Sequence, residues 1–157
     1  MTRLKIGFGT FFGTGLLPKA PGTWGSFVSL PFIFAASFCF PEYGIFVFIF
    51  AACLLSVWSA PAAVEKYGPD PPQFVMDECA GQAVVFLLSG FYTISLTEFY
   101  TLAAGFILFR VFDILKPLGI DYIQKLPGKF GILADDLLAG FYALVCLELL
   151  KRIPAFL

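Results

Sequence analysis

Long apolar runs, separated by short polar or proline-rich breaks, occupy most of this chain and restrict the folds open to it. Of the 157 residues, 59% are hydrophobic and only 13% are charged, about half the charged share of an ordinary soluble domain. The runs are continuous rather than alternating, which favours membrane helices over a β-barrel. The sequence therefore predicts an all-α integral membrane bundle. Its runs cover residues 27–40, 45–64, 77–96, 97–115 and 132–150.

The order of the runs predicts two helical hairpins followed by a final helix, with four or five membrane segments in a single domain over residues 1–157. The first run is short for a membrane crossing and contains Pro31. A full crossing and a re-entrant hairpin therefore both remain open for it. Either one returns the chain to its starting side, so the later segments keep the same orientation. No pattern indicates the oligomeric state.

Basic residues are distributed unevenly between the two ends of the predicted bundle. The N-terminus, the loop 65–77 and the loop 116–134 share one side, and only Lys151 and Arg152 fall on the other. The positive-inside rule places the first side in the cytoplasm. The basic residues of that side are Arg3, Lys5, Lys19, Lys66, Lys116, Lys125 and Lys129, with Arg110 just inside the membrane.

Two acidic doublets open two of the apolar runs on the predicted cytoplasmic side. They are Asp77-Glu78 and Asp135-Asp136. A carboxylate next to hydrocarbon is costly and marks a candidate functional site. Carboxylates that face each other closely repel, and a divalent cation relieves that repulsion. Ligation by oxygen alone favours Mg²⁺, Mn²⁺ or Ca²⁺ over zinc.

Small residues follow each doublet at helical spacing. Gly81 lies one turn after the first doublet, and Ala139 and Gly140 lie one turn after the second. Small side chains let membrane helices approach closely. The sequence therefore predicts that the two acidic helix ends face each other across a narrow gap.

Arg110, Asp113 and Lys116 are spaced three residues apart, so they share one face of a helix. They form either an internal ladder of ion pairs or a cationic phosphate site in which Asp113 adds a metal ligand. The glycine-rich segment 18–26 precedes the first run. A glycine loop that opens a helix presents N–H groups to an anion, but glycine and proline equally suit a plain membrane-entry turn. Its candidate anion contacts are Lys19, Gly22, Thr23, Gly25 and Ser26.

The composition excludes several function classes. The chain has no histidine, which removes histidine-based triads, phosphohistidine intermediates and histidine-ligated zinc. It has no basic tract or RNA-binding signature, so nucleic acid is not an expected partner. A metal site, a cationic clamp and an anion loop at one membrane face predict chemistry on an anionic phospholipid.

Four motifs, in this order and at these spacings, resemble phosphatidylglycerophosphatase A, a family of bacterial lipid phosphatases. The resemblance covers roughly residues 7–150. The motifs are Pro21-Gly22-Thr23-Trp24-Gly25-Ser26, Asp77-Glu78-x-x-Gly81, Phe109-Arg110-x-Phe112-Asp113-x-x-Lys116-Pro117 and Gly131-Ile132-x-x-Asp135-Asp136-x-x-Ala139-Gly140. The family often has a glycine pair before the last motif, where this chain has Leu126-Pro127-Gly128-Lys129-Phe130-Gly131.

The resemblance implies Mg²⁺-dependent hydrolysis of phosphatidylglycerophosphate to phosphatidylglycerol and inorganic phosphate, in the bacterial cytoplasmic (inner) membrane. It also implies catalytic roles for Asp77, Glu78, Asp135 and Asp136, and metal ligation by these four together with Asp113. Phosphate contacts are expected from Arg110, Lys116 and the residues of the segment 22–26.

These residues are compatible with more than one mechanism and function. Asp135 or Asp136 takes a proton from an attacking water, or an aspartate forms a covalent phosphoenzyme. A phosphotransferase of the CDP-alcohol type also uses Mg²⁺ and clustered aspartates, but its signature begins with Asp-Gly, which this chain lacks. A small ion or metabolite carrier would place ionisable groups near the middle of the membrane rather than at one face.

Overall fold

The computed structural model describes residues 1–117, 119–124 and 129–153, and all regular secondary structure in these residues is helical. The all-α prediction is therefore confirmed for them. Lys125 and the stretch 126–128 lie outside the described residues. The helices are α1 (Thr2–Gly9), α2 (Pro21–Cys39), α3 (Gly44–Tyr67), α4 (Met76–Val84), α5 (Leu96–Leu115), α6 (Ile120–Gln124) and α7 (Lys129–Leu150), with a 3₁₀ turn at Thr14–Leu16.

Among the described residues, α2 and α3 are the two helices long and apolar enough to cross a membrane. At 1.5 Å per residue they extend about 28 and 36 Å, close to the roughly 30 Å of a bilayer's hydrocarbon core. Helices α5 and α7 are of similar length, but each carries three or more charged residues. Two membrane-grade helices are thus present, and the further segments of the predicted four or five stay a prediction.

The run 77–96 does not form the continuous helix that its apolar composition suggested. Helix α4 has nine residues and ends at Val84, so it extends only about 14 Å. The chain then continues without regular helix to Leu96. Val85, Phe86 and Phe91 of this stretch are fully buried. Leu88, Tyr92 and Ile94 of the same stretch are exposed. Burial in protein therefore accounts for part of the apolar composition, and the sequence alone does not distinguish that burial from contact with lipid.

Contacts along α2 define two ends of the bundle. At the start of α2, Gly22 lies against the Glu78 carboxylate of α4. Near its end, the Ser37 hydroxyl accepts a hydrogen bond from the Phe91 N–H at 3.0 Å. Between residues 78 and 91 the chain therefore extends along α2 from Gly22 to Ser37, which are fifteen residues or about 22 Å apart. We call the Gly22 end the site end and the Ser37 end the far end.

Helix α2 begins at Pro21, inside the segment that the sequence predicted to be a loop. Proline is well suited to the first helical turn because its fixed φ angle matches the helix and its missing N–H needs no partner. Gly25 packs so closely on α4 that an added Cβ would come within 2.7 Å of the Val75 Cβ. Tertiary packing thus outweighs the low helix propensity of glycine here, and residues 22–26 form the first turns of α2.

Candidate active site

The site lies where α4 crosses α7. An added Cβ on Gly81 would come within 2.5 Å of the Asp136 carbonyl oxygen, and one on Gly140 would collide with the carbonyl oxygen of Gly81. Only glycine permits this separation, because any side chain would meet backbone atoms of the other helix. The predicted close approach of the two acidic helix ends is therefore confirmed.

This crossing brings the two doublets together. Asp77, Glu78 and Asp136 each offer one carboxylate oxygen within 4.8 Å of the oxygens of the other two. Asp77 and Asp136 are buried, at 4% and 5% exposure, and Glu78 is partly exposed. The Asp77 carboxylate also accepts the Glu78 N–H at 3.1 Å. Three acidic groups from two helices thus share one small volume.

Two basic residues from the end of α5 border these carboxylates. The Lys116 Nζ lies 2.6 Å from Asp135 Oδ2. The Arg110 guanidinium pairs with Asp113 at 2.7 Å and donates to the Ser26 hydroxyl at 3.3 Å. The ladder of ion pairs is present, but Lys116 extends it to α7 rather than back to Asp113. Of the second doublet, Asp135 meets a lysine and Asp136 joins the carboxylate trio.

A cavity of about 110 Å³ opens over this cluster. It is lined by Asp77, Glu78, Asp113, Lys116, Asp135 and Asp136, together with Phe74, Ile132 and the loop residues Asp70, Pro71 and Pro72. Six acidic residues and one lysine therefore border a space large enough for water molecules and a small ion.

The first turn of α2 reaches the cluster only in part. Gly22 lies directly against Glu78, and Arg110 approaches it as well. The Ser26 hydroxyl is buried and donates to the Gly22 carbonyl at 2.9 Å, so it fixes Arg110 while bonded within its own helix. Of the predicted phosphate contacts, Lys116 lines the cavity, and the described lining residues do not include Lys19, Gly22, Thr23, Gly25, Ser26 or Arg110. Lys19 is exposed, and Gly25 serves packing against α4.

Burial and mutual repulsion alter the ionisation of the α4 carboxyls. Burial, reinforced by the charges of Glu78 and Asp136, raises the pKa of Asp77 well above its usual range. Burial also raises the pKa of Glu78 to about 7, even though the hydrogen bond with Asp77 and the charge of Arg110 act in the opposite direction. Without a compensating cation, the cluster therefore holds protons near neutral pH.

Lys116 remains the positive member of the cavity. Burial alone would lower the pKa of its ammonium, but the hydrogen bond to Asp135 and the charges of Asp135, Asp136 and Asp113 outweigh burial and raise it. The site thus combines an acidic floor with a lysine that stays protonated.

The residues present fit a divalent cation of the Mg²⁺ type. All the acidic donors are oxygens, which Mg²⁺ prefers. Buried oxygens without a hydrogen-bond partner among the described residues include Glu78 Oε2 and Asp135 Oδ1. Such atoms are costly unless an ion or water satisfies them. A cation held by Asp77, Glu78 and Asp136 would satisfy the trio and remove its repulsion.

Asp70 is an acidic residue of the cavity that the sequence analysis did not identify. It lies in the loop between α3 and α4 and adopts a positive φ of 49°. A single aspartate between prolines gives no helical spacing to interpret. Its proximity to the doublets comes from the path of the loop alone.

The chain is similar to known proteins along most of its length. The family model described as Phosphatidylglycerophosphatase A matches residues 7–151. A phosphatidylglycerophosphatase A of Haemophilus influenzae is 36% identical over 140 residues, covering 85% of this chain and 80% of that protein. The Escherichia coli K12 phosphatidylglycerophosphatase A is 29% identical over 130 residues, covering 82% and 73%.

A third relative has a different name. A Bacteroides thetaiotaomicron protein, provisionally named a phosphatidylinositol-3-phosphatase, is 31% identical over 152 residues, which is 94% of each chain. No solved structure matches the chain.

Proposed function

Because the chain belongs to the phosphatidylglycerophosphatase A family, we propose that it hydrolyses phosphatidylglycerophosphate to phosphatidylglycerol and inorganic phosphate. The observation that carries the proposal for the site is the carboxylate trio beside Lys116 in one cavity. Phosphoryl transfer depends mainly on positioning and on neutralising charge. A cluster of metal-type ligands next to a cation supplies both.

In this proposal Asp77, Glu78 and Asp136 hold Mg²⁺, and Asp113 adds a ligand or keeps Arg110 in place. The bound cation would supply charge neutralisation on the phosphate oxygens and a more acidic water. Lys116 and Arg110 bind the phosphomonoester through charge-assisted hydrogen bonds. The N–H groups of the first turn of α2, beside Gly22, add donors at the positive end of the helix.

Asp135 is the candidate base. Its Oδ2 is held by Lys116, which leaves Oδ1 without a partner among the described residues. Oδ1 would take a proton from the attacking water as the new P–O bond forms and the bond to the glycerol oxygen breaks. The proton taken by Asp135 then passes, directly or through solvent, to the released glycerol oxygen, which regenerates the carboxylate and balances charge and atoms. Covalent capture of the phosphoryl group by an aspartate is the alternative.

The proposal places the site at the cytoplasmic face of a bacterial inner membrane. The site end carries Lys19, Lys66 and Lys116, while Lys151 lies at the far end, where it donates to the Ser89 hydroxyl. That asymmetry agrees with the positive-inside rule. A carrier is less favoured because the ionisable cluster lies at one end of the bundle rather than at mid-depth.

Purified protein in detergent tests the reaction. Phosphate release from phosphatidylglycerophosphate should require Mg²⁺ and stop when a chelator is added. A reaction that continues at full rate in the chelator would contradict the metal role. Acid-stable labelled phosphate on the protein, trapped during turnover, would favour the aspartyl-phosphate route over direct attack by water.

Phosphatidylinositol 3-phosphate is the second candidate substrate, because the relative with 94% coverage of each chain is provisionally named for it. Both lipids present a phosphomonoester on an alcohol, so the cavity chemistry fits either. The two should be offered at equal surface concentration in mixed micelles. A larger kcat/KM for the inositol lipid would reassign the substrate.

A further inference from the structure

A second, larger cavity lies between α2 and α5 and takes no part in the chemistry described above. Its volume is about 710 Å³, within the roughly 300–1,000 Å³ typical of ligand sites. Its walls are almost wholly apolar. They include Phe27, Pro31 and Phe34 of α2 and Leu102, Ala103 and Phe106 of α5. We call it the α2–α5 groove.

The groove exists because α5 packs mainly on α7 and touches α2 little. The side chains along its edges are open to the surroundings, with Phe27 at 52% and Ile107 at 59% exposure. One wall is α2, a helix long and apolar enough to cross a membrane. The opening therefore faces the region that hydrocarbon would occupy.

One end of the groove adjoins the carboxylate site. The Phe27 and Phe106 rings meet edge to face with centroids 5.8 Å apart. Phe27 follows Ser26, and Phe106 lies one turn before Arg110, and these two neighbours hydrogen-bond at 3.3 Å. On both α2 and α5, therefore, the residue at this end of the groove lies within one turn of the residue at the proposed phosphate site.

The other end of the groove stops at a polar group. Glu98 lines it there and accepts a hydrogen bond from the Thr93 hydroxyl at 3.4 Å. From Phe106 to Glu98 the wall is eight residues long, about 12 Å. The groove therefore has the charged Arg110 near one end, apolar walls along its length and the polar Glu98 at the other end.

We propose that the α2–α5 groove binds one acyl chain of the lipid substrate while its phosphorylated headgroup occupies the carboxylate site; this rests on the proposed function. An amphipathic ligand with an anionic head and a hydrocarbon tail matches the order of surfaces along the two helices. Burial of each methylene in the groove adds binding free energy in proportion to the apolar area covered.

The test fills the groove without touching the site. Ala103→Trp places an indole between the two walls, and Ala51→Trp, at an exposed position of α3, is the matched control. Phosphate release is measured from dipalmitoyl and dihexanoyl phosphatidylglycerophosphate at equal surface concentration. Ala103→Trp should lower kcat/KM for the long-chain lipid by about tenfold or more. It should lower kcat/KM for the short-chain lipid by a clearly smaller factor, because fewer of its methylenes extend past Ala103 into the groove, and Ala51→Trp should behave as the wild type.

The outcomes separate the two proposals. Wild-type protein that releases phosphate from neither lipid contradicts the proposed function. Active wild-type protein whose Ala103→Trp variant treats both lipids alike overturns the groove assignment and leaves the function standing. Ala103→Leu, a smaller obstruction, covers the case in which the tryptophan variant does not fold. It should also lower kcat/KM more for the long-chain than for the short-chain lipid, but by a smaller factor than Ala103→Trp. Equal effects on the two lipids would count against the groove.

Discussion

The α4–α7 crossing and the α2–α5 groove are two helix contacts in the same small bundle, and they differ in spacing. At the first, Gly81 and Gly140 bring two backbones together and gather three carboxylates within 4.8 Å. At the second, phenylalanine and leucine side chains hold the helices apart around about 710 Å³. Small residues at the α4–α7 crossing thus let the acidic side chains come close together. Large apolar residues at the α2–α5 contact leave a cavity of a size and polarity suited to hydrocarbon.

The comparison predicts that a single charge removed at the tight crossing abolishes function. Asp136→Asn should lower kcat by about 10³-fold or more, because the proposed metal would supply several kcal/mol of transition-state stabilisation. The metal-free variant should unfold at a higher temperature than the wild type, since one member of a repelling trio is gone. Phosphate release and thermal unfolding followed by circular dichroism check both. Near-normal turnover would remove Asp136 from the site.

The two ends of the bundle offer two lysines with similar partners. Lys116 lies 2.6 Å from Asp135 at the site end, and Lys151 lies 2.7 Å from Glu148 at the far end. Lys116→Met should lower kcat/KM by about 10²-fold, as expected when one preorganised transition-state contact is lost. Lys151→Met should leave it unchanged, and equal losses in the two variants would deny Lys116 a special role.

The close spacing at the first crossing is itself testable. Gly81→Ala places a methyl group against the Asp136 backbone and should reduce the free energy of unfolding by about 1–3 kcal/mol or more. Gly7→Ala is the matched control, because nothing lies within 4 Å of its added Cβ in α1. That control should be stabilising by up to about 1 kcal/mol through helix propensity. Denaturant titration in detergent measures both, and a neutral Gly81→Ala would mean that the crossing can relax.

The smallest expected effect is a pH dependence of stability. The folded-state pKa of Glu78 is about 7, above its ordinary value of 4.5. Folding therefore favours the protonated carboxyl, so the metal-free protein loses stability as the pH rises from 4.5 to about 7. If the trio holds Mg²⁺ as proposed, the cation would bind the ionised form and should raise the unfolding temperature more at about pH 8 than at about pH 6. An equal Mg²⁺ effect at both pH values would place the cation elsewhere.

Much of the site was accessible from the sequence because its determinants are local. The two doublets, the glycines one turn beyond them and the spacing of Arg110 and Lys116 all lie within single helices. Helical periodicity therefore predicts which side chains share a face. Because each predicted hairpin returns the chain to its starting side, these helix ends are then predicted to meet at one end of the bundle.

The remaining features depend on tertiary packing, which periodicity does not report. Helix α2 starts at Pro21 because Gly22 and Gly25 are packed against α4. The end of α4 at Val84 was not predictable, because the apolar composition continues past it. Burial in protein and exposure to lipid select the same residue types. Asp70 reaches the cavity through the path of a loop. The two halves of the Asp135-Asp136 doublet take different partners because Lys116 lies beside only one of them.

The hydrogen bond from the Phe91 N–H to the Ser37 hydroxyl has a consequence for how the chain is made. Residues 85–95 lack regular helix, so any of their backbone groups that lie at bilayer depth need partners from neighbouring helices. We therefore expect this segment to settle only after α2 is in place. Because Asp136 comes from α7, the carboxylate site should be completed late in synthesis.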